Sequence, residues 1–502
     1  MKNIMGIPFY FATLTKKYEN IVSKNIPVQI QTYCMDFNGV IHTICRKHIE
    51  SGNFTEKNMI EDIYTKIQND ISDFQPGQTI ICVDGVVPLA KMIQQRKRRY
   101  LKVFSNAIDK ITPVWDSNAI TPGTNFMKQL DKFLKSKLKH EKNIYYSGSD
   151  EYGEGEHKIF SKFDGLSDGN IIINGLDADL IILSLMSNKK NIYLMREDRE
   201  TMFMNIDLLR EAIVQELVGR WDLNQSDYTD VYSSASNELI ESYCVMCSLM
   251  GNDFIPHLLT LSFKSNGLDK LITYTGNAIR NHGMLVMNNT IQYATLVEII
   301  QQISATENDD IFKDTEKYMK QYINNNTPPS EFYGYKNKQN IANQIYSDMN
   351  NWRFTYYKTI FHTNIVHDSS IIQSSCYNYI YGIYWTYAYY KKQEYDNTWY
   401  YPYTYPPTVK DIANYSICNP CPTMIGRTTK LSADIQLMIV LPKDSKRLIN
   451  KKYVKFMEDD TLGMYHYYPT TYKIHTYLKR HLWECEPVLP TINVDYIIMH
   501  IK

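Results

Sequence analysis

Three short, β-branched apolar runs, each ending on or just before an acidic residue, constrain this chain more than any other feature of its sequence. Residues 28–35 lead to Asp36, residues 79–83 to Asp84, and residues 170–173, through Gly175, to Asp177 and Asp179. Runs of this kind, each followed by helical sequence, are the signature of strands covered on both faces in a parallel sheet. In open α/β sheets ligands collect beyond the carboxyl ends of the strands, so these acids are expected to converge on one crevice. A fourth segment, 238–250, has apolar positions at helical spacing and delivers Gly251, Asn252 and Asp253. The expected fold class is therefore α/β, with a mixed, mainly parallel central sheet flanked by helices.

A chain of 502 residues suggests about three domain-sized units. Residues 304–350 are polar and rich in Asn and Lys, with Asn324-Asn-Asn-Thr-Pro-Pro329 as a breaker cluster, and read as a linker. It separates a first region, 1–303, which carries the acids, from a second, 351–502. The second region is densely aromatic between Tyr377 and Tyr405 and ends in strand-like runs at 437–441 and 467–475.

Whole-chain properties exclude several classes. Lys and Arg number 54 and Asp and Glu 54, so any contact with nucleic acid has to come from a local cationic patch. No apolar run is long enough to span a bilayer, and the first residues lack the apolar region and cleavage site of a secretory signal. Nine scattered cysteines do not make a disulfide framework and suit a reducing compartment, so the cytoplasm is expected.

Asp36, Asp84, Glu154, Glu156, Asp177, Asp179 and Asp253 all stand beside glycines or at expected strand or loop ends. Gathered in one crevice they would repel strongly, and hard divalent cations are the usual resolution. On an extended backbone Glu154 and Glu156 share a side, as do Asp177 and Asp179, so each pair could serve one ion or bridge two. Paired Mg²⁺ ions about 3.5–4 Å apart are suited to phosphodiester hydrolysis. Singly, an Asp after a strand is more often a helix cap, and Gly-Glu-Gly-Glu a solvated loop. Their recurrence favours metal over independent caps.

Pro88 suits the first turn of a helix over 89–103. Lys91, Gln95, Arg98 and Arg99 share one face of it. Guanidinium forks and an ammonium there would make a phosphate pocket, although charge alone equally fits a solvated face or a localisation signal in Arg96-Lys-Arg-Arg99. Trp399-Tyr-Tyr-Pro-Tyr403 could stack bases, but such runs are more often core; His42 and Trp399 are the two stacking candidates. Cys244-Val-Met-Cys247 and Cys418-Asn-Pro-Cys421 have zinc-like spacing, yet the first pair sits on an amphipathic helix, where buried thiols behave as small apolar residues.

Met5-Gly-Ile-Pro-Phe-Tyr-Phe11, Met35-Asp-Phe-Asn-Gly-Val-Ile-His42, Val83-Asp-Gly-Val-Val-Pro-Leu-Ala-Lys-Met92, Gln94-Gln-Arg-Lys-Arg-Arg99, Ile120-Thr-Pro-Gly-Thr124, Gly153-Glu-Gly-Glu-His-Lys158, Gly175-Leu-Asp-Ala-Asp-Leu180 and Gly251-Asn-Asp-Phe-Ile-Pro-His257 occur in that order. In this they resemble the first conserved region of the Xrn 5′-3′ exoribonucleases. Trp399-Tyr-Tyr-Pro-Tyr403 and Val440-Leu-Pro442 resemble the second.

The resemblance implies a PIN-like or flap-nuclease-like core wrapped by the second region, active in RNA degradation and mRNA decay. It implies that the seven acids hold Mg²⁺, with Mn²⁺ as a substitute and two ions in all. Lys91, Gln95, Arg98 and Arg99 would then hold the 5′-monophosphate of a single-stranded RNA, His42 and Trp399 would stack on its first nucleotide, and mononucleotides would be released processively.

A monomer with no membrane contact is expected, short of the long C-terminal extensions of cellular members, as would suit a large DNA virus and its host's cytoplasm. The sequence departs from the family at Met1 to Ile4, which precede its usual start, at Asn397, where it has tryptophan, and at Thr404, where it has histidine. A structure-specific DNA flap endonuclease would use similar acids, and an RNA-binding decoy would use none; the basic helix face and the intact acids favour the RNA enzyme.

Overall fold

All three acid-tipped runs are strands of one seven-stranded sheet. The computed structural model describes residues 10–52, 54–175, 177–197, 200–219, 225–262, 266–320, 328–337 and 341–501, without the side chains of 225–234 and 319. The motif start at Met5, the four residues before it and most of the breaker cluster lie outside the described residues. The strands are β1 (Val22–Ser23), β2 (Ile30–Asp36), β3 (Gln78–Cys82), β4 (Ile144–Ser147), β5 (Asn170–Asn174), β6 (Ile192–Glu197) and β7 (Thr201–Asn205). Their order is β1-β7-β6-β5-β2-β3-β4. From β6 to β4 every neighbouring pair is parallel, while β7 runs antiparallel to β6 and to β1. The sheet is thus mixed and mainly parallel, as expected.

Register carries the acids to a common edge, because Asp36 pairs with Cys82 and Met35 with Asn174. Strands β2, β3 and β5 are almost wholly buried, which matches their continuous apolar sequence. On one face Tyr33, Met35 and Ile81 pack against Ile63 and Ile67 of the helix Glu56–Phe74 and Leu130 and Leu134 of the helix Asn125–Leu138.

The chain divides into two compact units, each assembled from separate stretches. One, the sheet unit, comprises 20–207, 429–474 and 486–502; the other, a helical unit, comprises 1–19, 208–428 and 475–485. In the sheet unit the helix Leu89–Ile108 packs against the helix Ala433–Val440, and Gln436 Oε1 accepts the Val87 N–H at 3.0 Å. In the helical unit the polar stretch 304–350 contains the helices Glu307–Lys320, Tyr333–Lys336 and Ile341–Tyr346.

Two local expectations are corrected. Residues 437–441 are not a strand: Ser432 Oγ accepts the Ile435 N–H and starts the helix Ala433–Val440. The run is apolar all round and buried all round, a case in which periodicity cannot separate helix from strand. Residues 467–475 are mostly irregular, with strand only at Ile474–His475. Among the described residues no helix is long and apolar enough to cross a membrane.

Candidate active site

Asp36 is the last residue of β2 and stands at the N-cap position of the helix Phe37–Ser51, but its side chain makes no capping hydrogen bond. The same is true of Glu154 before the helix Gly155–Phe160. The ordinary reason for an acid at a strand-to-helix junction is therefore missing at both positions. Asp36 instead meets other acids, and Glu154 meets Lys91 beside them. Single carboxylate oxygens of Asp36, Asp84 and Glu156 all lie within 4.8 Å of one another.

Electrostatics extends the group. Burial, then the charges of Asp84, Asp177 and Glu154, hold the Asp36 carboxyl well above its ordinary range, with Lys91 opposing. Burial, then Glu154 and Asp36, do the same to Glu156. Asp84 is raised by burial and Glu154, against the Gly155 N–H, Lys91 and Lys158. Such a cluster is costly unless protonated or given a compact counter-charge. An all-oxygen donor set of this kind fits a hard divalent cation and not zinc, which takes His or Cys.

The main chain is shaped around the cluster. Asp84 Oδ1 accepts the Gly155 N–H at 2.7 Å, and Asp84 Oδ2 accepts from Asn38 Nδ2 at 2.7 Å. A Cβ on Gly155 would come within 2.8 Å of Asp36 Oδ1 and 2.9 Å of the Cys82 carbonyl, so only glycine lets this helix start so close. The extended pairing of neighbouring acids is corrected here. Glu156 lies in a helix's first turn, and Asp179 opens the buried helix Asp179–Met186 with Ala178 already in helical conformation. Asp177 Oδ1 accepts the Asp179 N–H at 3.2 Å, an Asx-type turn in place of an extended backbone.

The basic run is divided by function of position along the helix Leu89–Ile108. Lys91 turns to the acids, its Nζ 2.5 Å from Glu154 Oε2. Arg96 is buried in the sheet unit, donating to the carbonyls of Ile439 and Tyr467, with its guanidinium 4.8 Å from the Tyr100 ring centre. Lys97 pairs with Glu486 at 2.6 Å. Arg98 and Arg99 remain beside His42, whose imidazole is pushed down to about 4 by burial and by Arg98, Arg46 and Arg99, so it is neutral near pH 7. Arg99 Nη2 donates to Thr121 Oγ1 at 2.9 Å, while its Nη1 and Gln95 Oε1 are buried without a hydrogen-bond partner among the described residues. Burial and Arg98 bring the Arg99 guanidinium down to about 9.

Asp253 and Trp399 belong to the helical unit. Asp253 sits in a tight loop after the helix Gln225–Cys247 and the turn Ser248–Met250, where Asn252 Oδ1 accepts the N–H groups of Phe254 and Ile255. Gly251 there has φ +85, and a Cβ would meet the His257 main chain at 2.6 Å. Trp399 is half-buried, 5.2 Å from Trp385 and 5.5 Å from Tyr381 between ring centres, and lies over Gly382. Most of the neighbouring aromatics, Tyr379, Trp385, Tyr401 and Tyr405 among them, are core. The cysteines are free thiols, and Cys244 and Cys247 are buried.

Four residues of this site escaped the sequence reading: Asn38, Lys158, Thr121 and Arg46. The first three lie inside the quoted motifs but carry no charge pattern of their own. Arg46 stands one helical turn after His42, a spacing that could have drawn attention to it.

Residues 5–198 match the family described as XRN 5'-3' exonuclease N-terminus, and residues 234–351 and 334–501 match that described as Xrn1 helical domain. The chain is 27% identical over 585 aligned positions to the human 5'-3' exoribonuclease 1, covering 97% of this chain and 33% of that protein. It is 28% identical to the Schizosaccharomyces pombe 5'-3' exoribonuclease 1 over 66% of this chain and 28% of that one. With the 5'-3' exoribonuclease 2 of Gallus gallus it shares 22% identity over 97% of this chain and 69% of that protein. The chain thus spans about a third of the first of these relatives. Because the two matched families together take in the acid-tipped strands, the basic helix and the aromatic segment, the chain belongs to the Xrn family of 5′-3′ exoribonucleases.

Proposed function

We propose that this chain is a 5′-3′ exoribonuclease that hydrolyses single-stranded RNA bearing a 5′-monophosphate, processively and to mononucleotides. The observation that carries the reading is the meeting, in one unit, of Asp36, Asp84 and Glu156 with a helix whose Arg98 and Arg99 face His42. In this reading Asp36, Asp84, Glu154, Glu156, Asp177 and Asp179 hold two divalent cations, Mg²⁺ or Mn²⁺. Bound there, they would supply Lewis acidity and an activated water for phosphodiester cleavage.

The chain's own groups do the rest. Arg98 and Arg99, with Gln95 and Lys91, receive the terminal phosphate; the buried Arg99 Nη1 and Gln95 Oε1 are polar atoms for which such a ligand supplies a partner. A pocket holding one phosphate leaves no room for a cap or a triphosphate. The neutral His42 ring offers a face for the first base.

The test compares matched RNAs with monophosphate, triphosphate and capped ends, with and without Mg²⁺. Mg²⁺-dependent loss of the monophosphate RNA alone, with mononucleotides as product, is expected. Cleavage of a DNA flap at its junction with the RNA left intact would replace this reading.

A further inference from the structure

Lys158 is a buried lysine without a carboxylate partner. Only 8% of its surface is exposed, and no ion pair involves it among the described residues. Its Nζ donates instead to two main-chain carbonyls, Val83 and Gly148, each at 2.8 Å. Those carbonyls sit just past the ends of β3 and β4, whose register is continued by the Val83 N–H donating to the Ser147 carbonyl at 2.9 Å. The residue after Val83 is Asp84. Its carboxylate is held on one side by the Gly155 N–H and on the other by Asn38, so the Lys158 ammonium fixes the peptide from which a doubly tethered carboxylate projects.

The same short helix, Gly155–Phe160, therefore sends Glu156 into the acid cluster and Lys158 beneath it. A Cβ on Gly85 would lie 3.4 Å from the Lys158 Nζ and 1.6 Å from the Glu151 carbonyl oxygen, so this turn is packed too tightly for a slack side chain. A buried ammonium is expensive to keep, and a merely structural brace between two strand ends could be built from neutral donors.

We propose that Lys158 is a positioning residue for the metal centre, holding Asp84 where a divalent cation requires it. The proposal rests on the reading of the acids as cation ligands. Removing the ammonium has two opposed consequences for that cation: a repelling charge disappears, and the Val83–Asp84 main chain loses its anchor. Mg²⁺ demands near-ideal octahedral geometry while Ca²⁺ tolerates irregular shells, so lost positioning should penalise Mg²⁺ more than Ca²⁺. Lost charge alone should tighten both.

The experiment measures Mn²⁺ binding by electron paramagnetic resonance, with Mg²⁺ and Ca²⁺ as competitors, on the full chain and on Lys158→Met. Groups that hold metal ligands in place cost about tenfold to a hundredfold in affinity when removed. Mg²⁺ binding weakened by about tenfold or more, with Ca²⁺ affected less, is expected. Lys158→Gln, which keeps a neutral N–H donor, should fall between. Unchanged or tightened Mg²⁺ binding would overturn the proposal, as would equal weakening of both ions. Loss of circular dichroism in both variants would assign Lys158 to folding alone and overturn it as well. If the unaltered chain binds no Mn²⁺, or binds it equally well as Asp36→Asn, it is the metal reading itself that fails.

Discussion

Lys91 Nζ and Glu154 Oε2 form a buried ion pair, 2.5 Å long, that ties the basic helix to the acid crevice. Lys91 also opposes the mutual repulsion at Asp36, Asp84 and Glu156. It is thus a cation that the cluster keeps from within the chain, on the helix that carries Arg98 and Arg99.

The two halves of this pair should not be equivalent. Removing one partner of a buried pair usually costs about 3–5 kcal/mol because a charge is left alone. Lys91→Met leaves Glu154 among unopposed carboxylates, and a loss of that order is expected in metal-free buffer. Glu154→Gln leaves Lys91 with Asp36, Asp84 and Glu156 for company and removes one of the repelling charges, so it should be nearly neutral. Urea denaturation in EDTA reads the difference; equal losses would mean that Lys91 serves Glu154 alone.

The raised Asp36 carboxyl makes a prediction about pH. A carboxyl held above its unfolded pKa, about 3.9 for Asp, is protonated in the native chain where the unfolded chain is already ionised. The unfolded state then binds fewer protons, so stability falls as pH rises through that window, and the full penalty remains above it. Asp36→Asn is free of the penalty. In EDTA its advantage in unfolding free energy over the natural chain should grow as pH is raised from about 4 and level off once Asp36 is ionised. Mg²⁺ should stabilise the natural chain and not the variant. An advantage that does not change with pH would show that Asp36 titrates as an ordinary surface acid.

The acids and their convergence were legible because a continuous β-branched run of strand length leaves few alternatives, and parallel strands in register put their carboxyl ends together. Asp36 and Asp84 followed from that alone, while Glu156 was picked out by the Gly-Glu-Gly-Glu motif. What stayed hidden depends on contacts between distant segments. The helical state of 437–440 is settled by Ser432 and by burial against the helix Leu89–Ile108. The split of Arg96 and Lys97 from Arg98 and Arg99 is settled by carbonyls and a carboxylate far along the chain. Lys158 drew no reading of its own, since nothing local to it reveals two carbonyls waiting at strand ends.

Two glycines should respond to alanine in opposite ways. At Gly155 the added methyl group would press on Asp36 Oδ1 and the Cys82 carbonyl, so Gly155→Ala should weaken Mn²⁺ binding and hydrolysis together by displacing Asp36. At Gly39, within the helix Phe37–Ser51, nothing lies within 4 Å of the added atom, and Gly39→Ala should stabilise by about 0.5–1 kcal/mol through the unfolded chain's lost freedom. Thermal denaturation with Mn²⁺ titration separates the two. Intact metal binding in Gly155→Ala would mean that the helix start can retreat without moving the acids.

Thr121 offers the sharpest test of the phosphate pocket, because it touches the pocket only through Arg99. Its hydroxyl donates to the Asn118 carbonyl at 2.7 Å and accepts from Arg99 Nη2 at 2.9 Å, which aims the guanidinium and leaves Nη1 for a ligand. Thr121→Val keeps the shape and removes the acceptor. A hydrogen bond to a charged group is worth about 1.5–3 kcal/mol, so the KM for 5′-monophosphorylated RNA should rise about tenfold or more. The kcat should stay within about twofold, as befits lost binding common to ground and transition states. RNA with a 5′-hydroxyl should be unaffected, and Arg98→Ala should erase the difference between the two ends. If Thr121→Val slows both RNAs alike, Arg99 is holding the fold and not the phosphate.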